Sequence, residues 1–236
     1  MKSSSTLTLV PETRIGFWFL GTETWTRSVI RVALNDLVRL IPGRRASYPV
    51  VLDAGCGQGK SLRPLIEHFR PEHLIGVDAD ERALEHAREE AAREQVRIEL
   101  RCRDLASLGV PDASVDLLFC HQTFHHLVRQ EEALAEFFRV LKPGGVLLFA
   151  ESTRAYIHSW IIRLFFRHPM DKQRSAEEYM QMLRRQGFAF GAENTSFPYL
   201  WWSRSDLGAR EWWGFGVPKP GQREETLINL AAFKPR

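Results

Sequence analysis

Between residues 50 and 151, short apolar runs alternate with amphipathic helical stretches, and this order constrains the fold more than any other feature. VVLDA (50–54), LIGVD (74–78), VRIELRCRD (96–104), VDLLFC (115–120) and VLLFAE (146–151) have the length and residue types of strands. KSLRPLIEHF, DERALEHAREEAAREQ and EEALAEFFRVL carry helical periodicity between them, and Pro143-Gly144-Gly145 reads as a turn into the fifth strand. Short apolar strands alternating with helices predict parallel β-α-β units with helices on both faces of a sheet. Residues 1–15 read as a flexible lead. Residues 22–41 read as one helix with a stripe of Trp25, Val29, Val32/Ala33, Leu37 and Leu40, stopped by Pro42-Gly43. After Glu151 the pattern changes: a helix over about 175–186 ends at Gly187, FAFGAENTSF (188–197) reads as a strand, and TLINLAAF (226–233) as the last one. The long irregular stretch between those strands reads as a functional loop or a disordered one.

At 236 residues the chain fits one large α/β domain, and its 44% apolar and 26% charged residues are ordinary for a globular protein. A net charge of +3 is too small to argue for a nucleic-acid partner. Cys56, Cys102 and Cys120 form no C-x-x-C pair, which suits a reduced, cytoplasmic setting. The N-terminal stretch lacks the apolar centre of a signal peptide, and Arg163 and Arg167 interrupt the best candidate for a membrane span.

Directly after VVLD stands AGCGQGKS (54–61). Gly59-Lys60-Ser61 match a phosphate loop, but Ala54 replaces its first glycine. Read one residue earlier, DAGCGQG is a glycine-rich turn: Gly55, Gly57 and Gly59 would allow a tight turn, close approach of a ligand, and helix packing on strand. That reading also calls for an acidic residue about twenty positions on, at the end of the second strand, to hold ribose hydroxyls. Asp78 stands nineteen residues after Gly59, at the end of LIGVD.

VLDAGCGQG, VDAD, CRDL, VDLLFC…HHL and VLKPGGVLLF, in this order, resemble the successive motifs of class I S-adenosylmethionine-dependent methyltransferases. The small-molecule group that includes the ubiquinone/menaquinone type is the most similar, and the likeness covers about 48–151. It implies a Rossmann-like, doubly wound, seven-stranded sheet, mostly parallel with an antiparallel last strand. It implies S-adenosylmethionine as cofactor, with Asp53, Gly55, Cys56, Gly57 and Gly59 on its methionine and ribose side. Asp78 would hold the ribose, Ala79 would pack on the adenine, Asp104 and the Leu105 backbone would bind the adenine amino group, and His121 would touch the methionine part. On this reading the phosphate-loop likeness of Lys60-Ser61 is coincidental. The Asn/Asp-Pro-Pro-aromatic motif of base methylators is absent, CHQT standing in its place, so a nucleic-acid acceptor is not expected. A nucleotide hydrolase and a non-catalytic cofactor-binding module are the rival readings.

An activated methyl group asks the protein mainly to align a nucleophile in a site without water, with a general base where the acceptor is weakly acidic. His121 and His125 are the candidate bases, and His126 reads as a packed or capping residue. His125 and His126 are adjacent and no further residue completes a ligand spacing, so no metal is expected. Asp53 and Asp104 also have plainer readings as loop organisers. In 154–168, Ile157, Trp160, Ile161, Leu164 and Phe165 recur at helical spacing beside Arg154, Arg163 and Arg167, a pattern open to core packing, a lid or weak membrane-surface contact. With the aromatic pairs at 201–202 and 212–213 and the flap GFWFLG (16–21), they suggest a lipophilic or aromatic small-molecule acceptor. The expected acceptor residues are Trp18, Tyr156, Trp160, Tyr199, Trp201 and Trp212. The expected organisation is a flap and helix at 1–45 and a catalytic domain at 46–236, with substrate-side segments 154–174 and 198–224.

Overall fold

The computed structural model describes residues 13–204 and 206–236. The flexible lead expected at the N-terminus lies outside them up to residue 12; within them, Thr13 caps helix α1 (Arg14–Leu20) by accepting from the Gly16 amide at 3.0 Å. The single helix expected over 22–41 is three joined pieces: α2 (Glu23–Trp25), a π-helical turn (Thr26–Ile30) and α3 (Arg31–Arg39). A π turn shifts the register of the faces that follow it. Here it lets Trp25 and Ile30 face one cleft while Leu34 and Leu37 pack into the core.

The strands are β1 (Val50–Ala54), β2 (His73–Asp78), β3 (Arg97–Cys102), β4 (Val115–His121), β5 (Leu141–Ser152), β6 (Thr195–Ser196) and β7 (Leu227–Phe233). They form one seven-stranded sheet in the order β3-β2-β1-β4-β5-β7-β6. β1 to β5 are parallel, with Asp53 beside Gly76 and Phe119, and β7 runs antiparallel between β5 and β6. The doubly wound, mostly parallel sheet expected from the sequence is therefore present. Two local expectations are corrected. Residues 142–145 do not turn ahead of the fifth strand; they bulge within it, where the register shifts between Val115 and Leu117. FAFGAENTSF yields only a bridge at Ala189 and the two-residue β6, separated by a 3-10 turn at Ala192–Asn194.

Helices α4 (Leu62–Phe69), α5 (Glu81–Ala91) and α6 (Gln130–Val140) follow β1, β2 and β4. On one face of the sheet α6 and α9 (Ala176–Gln186) bury Leu134, Phe137, Tyr179 and Leu183 against Leu118, Leu147 and Leu230. On the other, α3 and α4 bury Leu34, Leu37, Leu65 and Phe69 against Val51, Leu117 and Leu148. Helix α3 is thus part of the core that a boundary at residue 45 would divide. The segment 154–168 is two short helices, α7 (Arg154–Ile157) and α8 (Trp160–Phe165), broken at His158-Ser159. A last helix, α10 (Ala209–Trp212), lies in the long loop before β7. Among the described residues no helix is long and apolar enough to cross a membrane. The strand order reverses between β1 and β4, so the carboxyl ends of these strands open a crevice where open α/β sheets bind ligands.

Candidate cofactor and acceptor site

The crevice is floored by the turn after β1. Gly55 has φ +86°, and a Cβ there would lie 2.2 Å from the Thr123 side chain, so only glycine lets the β1 and β4 loops meet. Gly59 serves packing, since a Cβ would come 2.9 Å from Ala87 of α5, and it does not line the cleft. The amide of Gly57 donates to Asp78 Oδ2 at 2.8 Å, and the Asp80 amide donates to Oδ1 at 2.9 Å. Each Asp78 oxygen thus spends one lone pair on the loop and keeps another for a ligand. Burial pushes the Asp78 carboxyl up, opposed by those amide bonds. Behind it Asp53, 2% exposed, accepts the Ser61 hydroxyl; burial raises its pKa to about 7, with the Ser61 bond pulling down and the Asp78 charge pushing up. Asp53 is held by a side chain, not by the backbone bonds expected of a loop organiser. The Cys56 thiol is pushed well up by burial and the neighbouring carboxylates, which leaves it an inert packing group.

After β3, Asp104 does two things. Its Oδ1 accepts the Ala106 amide at 2.9 Å, as a turn cap would, and its Oδ2 takes Arg129 Nη2 at 2.7 Å. Asp53, Gly55, Cys56, Gly57, Asp78, Ala79, Asp104, Leu105 and His121 all line one cleft, so the fold gathers every expected cofactor residue except Gly59. Four aspartates (53, 78, 80 and 104) line it, against Lys60 and Arg129. Lys60 is tied to Glu90 of α5 at 2.8 Å, and Arg129 to Asp104 and Glu132. An acidic cleft whose cations are already paired repels a triphosphate and suits a ligand with a positive centre. This removes the physical basis of the phosphate-loop reading.

Toward β4 the wall becomes apolar: Phe17, Leu20, Trp25, Ile30 and Phe119 line the same cleft. Gln58 Nε2 holds the flap there by donating to the Phe17 carbonyl at 2.6 Å. His121, at the carboxyl end of β4, is 8% exposed, stacks on Phe119 at 5.6 Å and packs against Trp25 at 5.8 Å. Its Nε2 is buried with no hydrogen-bond partner, and burial first, then the nearby His125, lowers its pKa to about 3. A neutral imidazole with so little proton affinity is a hydrogen-bond acceptor more than a base. His121 and Gln122 also border a second cavity, lined by Val29, Asp36, Pro198 and Trp202 among others. Gln122 has φ +51°, a left-handed conformation costly for a residue with a Cβ and frequent at binding sites.

The loop after β4 hangs on Glu151, a fully buried carboxylate near the end of β5. Oε1 accepts the Thr123 and Phe124 amides at 2.9 and 2.8 Å, and Oε2 pairs with His125 Nδ1 at 2.6 Å. His125, expected as a second base, is therefore committed to Glu151 and absent from the cleft lining, whereas His126 lines it. Nor are these two histidines without a third: His168 stacks near both, with ring centroids 5.1 and 4.5 Å away. The expectation that no further residue joins them is corrected. Nothing in the spacing pointed to Glu151 beyond its being a charge that ends an apolar strand.

The expected acceptor residues are placed elsewhere. Trp18, Tyr156, Trp160, Tyr199, Trp201 and Trp212 line neither cavity. Trp18, Trp160, Trp201 and Trp212 are 62–83% exposed. Tyr156 meets the edge of Trp202 at 5.6 Å, and Tyr199 lies beneath the guanidinium of Arg223 at 3.8 Å. Aromatic density in the sequence marked surface, and the cleft takes its aromatic wall from Phe17, Trp25 and Phe119.

A glycine turn, a carboxylate at the end of the second strand and an acidic crevice meet at the strand-order reversal of a Rossmann-like sheet, an arrangement suited to an adenosine cofactor. Residues 52–149 match the family described as methyltransferase domain. Over 104 residues the chain is 41% identical to a probable S-adenosylmethionine-dependent methyltransferase of Mycolicibacterium smegmatis, covering 44% of this chain and 38% of that one. It is 32% identical over 124 residues to a demethylmenaquinone methyltransferase of Deinococcus radiodurans, 52% of each. The fold is similar to a Haemonchus contortus phosphoethanolamine N-methyltransferase 2 solved with S-adenosyl-L-methionine, with TM-score 0.67, 17% identity and coverage of 93% of this chain and 56% of that one. The chain spans about half or less of the length of these curated relatives. The matched segment is a methyltransferase domain, similar to those of S-adenosylmethionine-dependent methyltransferases.

Proposed function

We propose that this chain transfers a methyl group from S-adenosylmethionine to a small apolar or aromatic acceptor held at the Trp25–Phe119 end of the cleft. The observation that carries the reading is the polarity of one continuous crevice: carboxylates Asp78 and Asp104 at one end, an aromatic wall and the unpartnered His121 Nε2 at the other. The cofactor, when bound, supplies an electrophilic methyl on a sulfonium. Asp78 holds the ribose hydroxyls with its remaining lone pairs, Asp104 and Leu105 hold the adenine, and the turn at Gly55–Gly57 gives the methionine part close backbone approach. Phe17, Leu20 and Trp25 exclude water. His121, neutral at physiological pH, would accept a hydrogen bond from the acceptor and aim its nucleophilic atom at the methyl; the new bond would form as the methyl–sulfur bond breaks, and the acceptor's proton would pass to solvent. The test is production of S-adenosylhomocysteine with a panel of phenols and quinols. Under this assignment His121→Gln lowers kcat about tenfold and leaves cofactor affinity intact, whereas loss of a general base would cost about 10²–10⁴-fold.

A second feature supports a lipophilic acceptor. Trp160, Trp201, Trp212 and Trp213 stand 62–83% exposed on the substrate-side segments, beside the exposed Arg163, Arg167 and Arg210. Tryptophan with arginine suits the headgroup level of an anionic bilayer. Weak co-sedimentation with phosphatidylserine vesicles, lost in Trp212→Ala/Trp213→Ala, is the expected result; equal sedimentation of both proteins rejects the contact.

A further inference from the structure

His125, His126 and His168 each present a ring nitrogen, and these three atoms lie within 4.8 Å of one another. We propose that they form a binding site for a divalent transition-metal ion of the zinc type, at the wall of the cleft and separate from the cofactor residues. Three imidazoles with no carboxylate or thiolate among them select zinc, cobalt, nickel or copper over magnesium or calcium. A metal–nitrogen distance of about 2.0–2.1 Å sets tetrahedral ligand atoms about 3.4 Å apart, so the ion requires the rings to close by little more than 1 Å.

The surroundings hold the three in place. Glu151 Oε2, 2.6 Å from His125 Nδ1, fixes that ring with Nδ1–H donated and Nε2 left to ligate, the carboxylate–histidine arrangement found behind metal sites. The same carboxylate anchors the 3-10 turn at Phe124–His126 through the Thr123 and Phe124 amides. His168 comes from the connection after α8, and Gln173 fastens that connection to the turn: its Nε2 donates at 2.9 Å to the carbonyls of both His125 and Pro169. The amide's other atom, Oε1, is buried without a hydrogen-bond partner. Among the described residues three ligands converge, the number that reactive zinc sites use. Because His126 also lines the cleft, an ion here would border the space given to the acceptor.

The experiment uses untagged full-length protein stripped with a chelator and titrated with cobalt, then zinc. One equivalent of cobalt per chain should bind with the visible bands of a four-coordinate ion, and zinc should displace it. His168→Ala should weaken cobalt binding at least tenfold, with S-adenosylmethionine affinity and the metal-free melting temperature unchanged. A wild-type protein with no saturable cobalt spectrum overturns the site even if the variant fails to fold. So does a His168→Ala protein that binds cobalt as the wild type does.

Discussion

Replacing Asp78 probes the join between loop and cofactor. Each carboxylate oxygen is already hydrogen-bonded once, by the Gly57 amide at 2.8 Å and the Asp80 amide at 2.9 Å. Asp78→Ala removes two charge-assisted bonds to ribose hydroxyls and leaves two loop amides without their acceptor. Set against the water that replaces them, the loss in cofactor affinity should be about 2–4 kcal/mol, or about 30- to 700-fold in Kd. Asp78→Asn is the sharper test. The loop presents a donor to each oxygen, so whichever way the amide is turned its NH₂ faces a backbone N–H. Asparagine should therefore bind nearly as poorly as alanine, although it keeps an acceptor. Lys60→Ala, which breaks only the pair with Glu90, should change cofactor affinity less than threefold and cost about 1 kcal/mol or less of stability. Calorimetry with S-adenosylmethionine, S-adenosylhomocysteine and ATP-magnesium measures all three variants. An Asp78→Asn protein that binds within threefold of wild type would refute the loop geometry. Tight ATP binding lost on changing Lys60 would refute the cofactor.

Gly55→Ala should lower stability by about 2 kcal/mol or more and abolish cofactor binding, because its Cβ meets Thr123 at 2.2 Å in a left-handed backbone; urea denaturation beside calorimetry reads both effects. His121 and Asp53 should give stability opposite pH slopes. With a folded pKa near 3 against 6.5, His121 takes up its proton only on unfolding, so its contribution is lost as pH falls from 6.5; Asp53, near 7 against 3.8, contributes below 3.8 and loses it as pH rises toward 7. Between pH 3.8 and 6.5 the two slopes oppose one another, so His121→Phe should make the urea midpoint fall more with rising pH and Asp53→Asn should make it rise more, and unchanged slopes would reject the burial argument. Trp25→Ala should raise the acceptor KM at least tenfold with cofactor affinity nearly unchanged, while Trp160→Ala leaves both as they are; steady-state kinetics with the acceptor found by the panel decides between cleft and surface.

That the residues expected around a cofactor share one cleft was legible because their placement is local. Gly55 and Asp104 follow a strand by one and two residues and Asp78 ends one, so naming the strands places them at one edge of the sheet. The acceptor half is assembled across the chain. Phe17 and Trp25 reach the cleft from two short helices ahead of a π turn that sets α3 in another register, and hydrophobic periodicity does not show such a break. Phe119 and His121 sit two apart on one strand and share a face, a relation visible only once the sheet's sides are assigned. The tryptophans of 201–213 misled because ring count says nothing of which way a ring points. The break at His158-Ser159 escaped because Ile157, Trp160 and Ile161 keep helical spacing across it. Glu151, His125 and His168 meet only through the fold, so adjacency in sequence hid the cluster that adjacency in space creates.

The place of β7 between β5 and β6 bears on how the protein is made. β5 pairs with Leu227–Phe233, so its second edge is covered only by residues about 80 positions further on. On the ribosome, β1 to β5 can assemble while β5 still presents a row of bare amides and carbonyls along Val146–Ser152, flanked by aliphatic side chains. That edge is open until Leu227–Phe233 have emerged. The long tryptophan-bearing loop therefore sets the interval during which a nascent chain can pair with a neighbour instead of with its own C-terminal strand. Shortening that loop, with the cleft untouched, should raise soluble yield during synthesis more than it raises the stability of the finished fold.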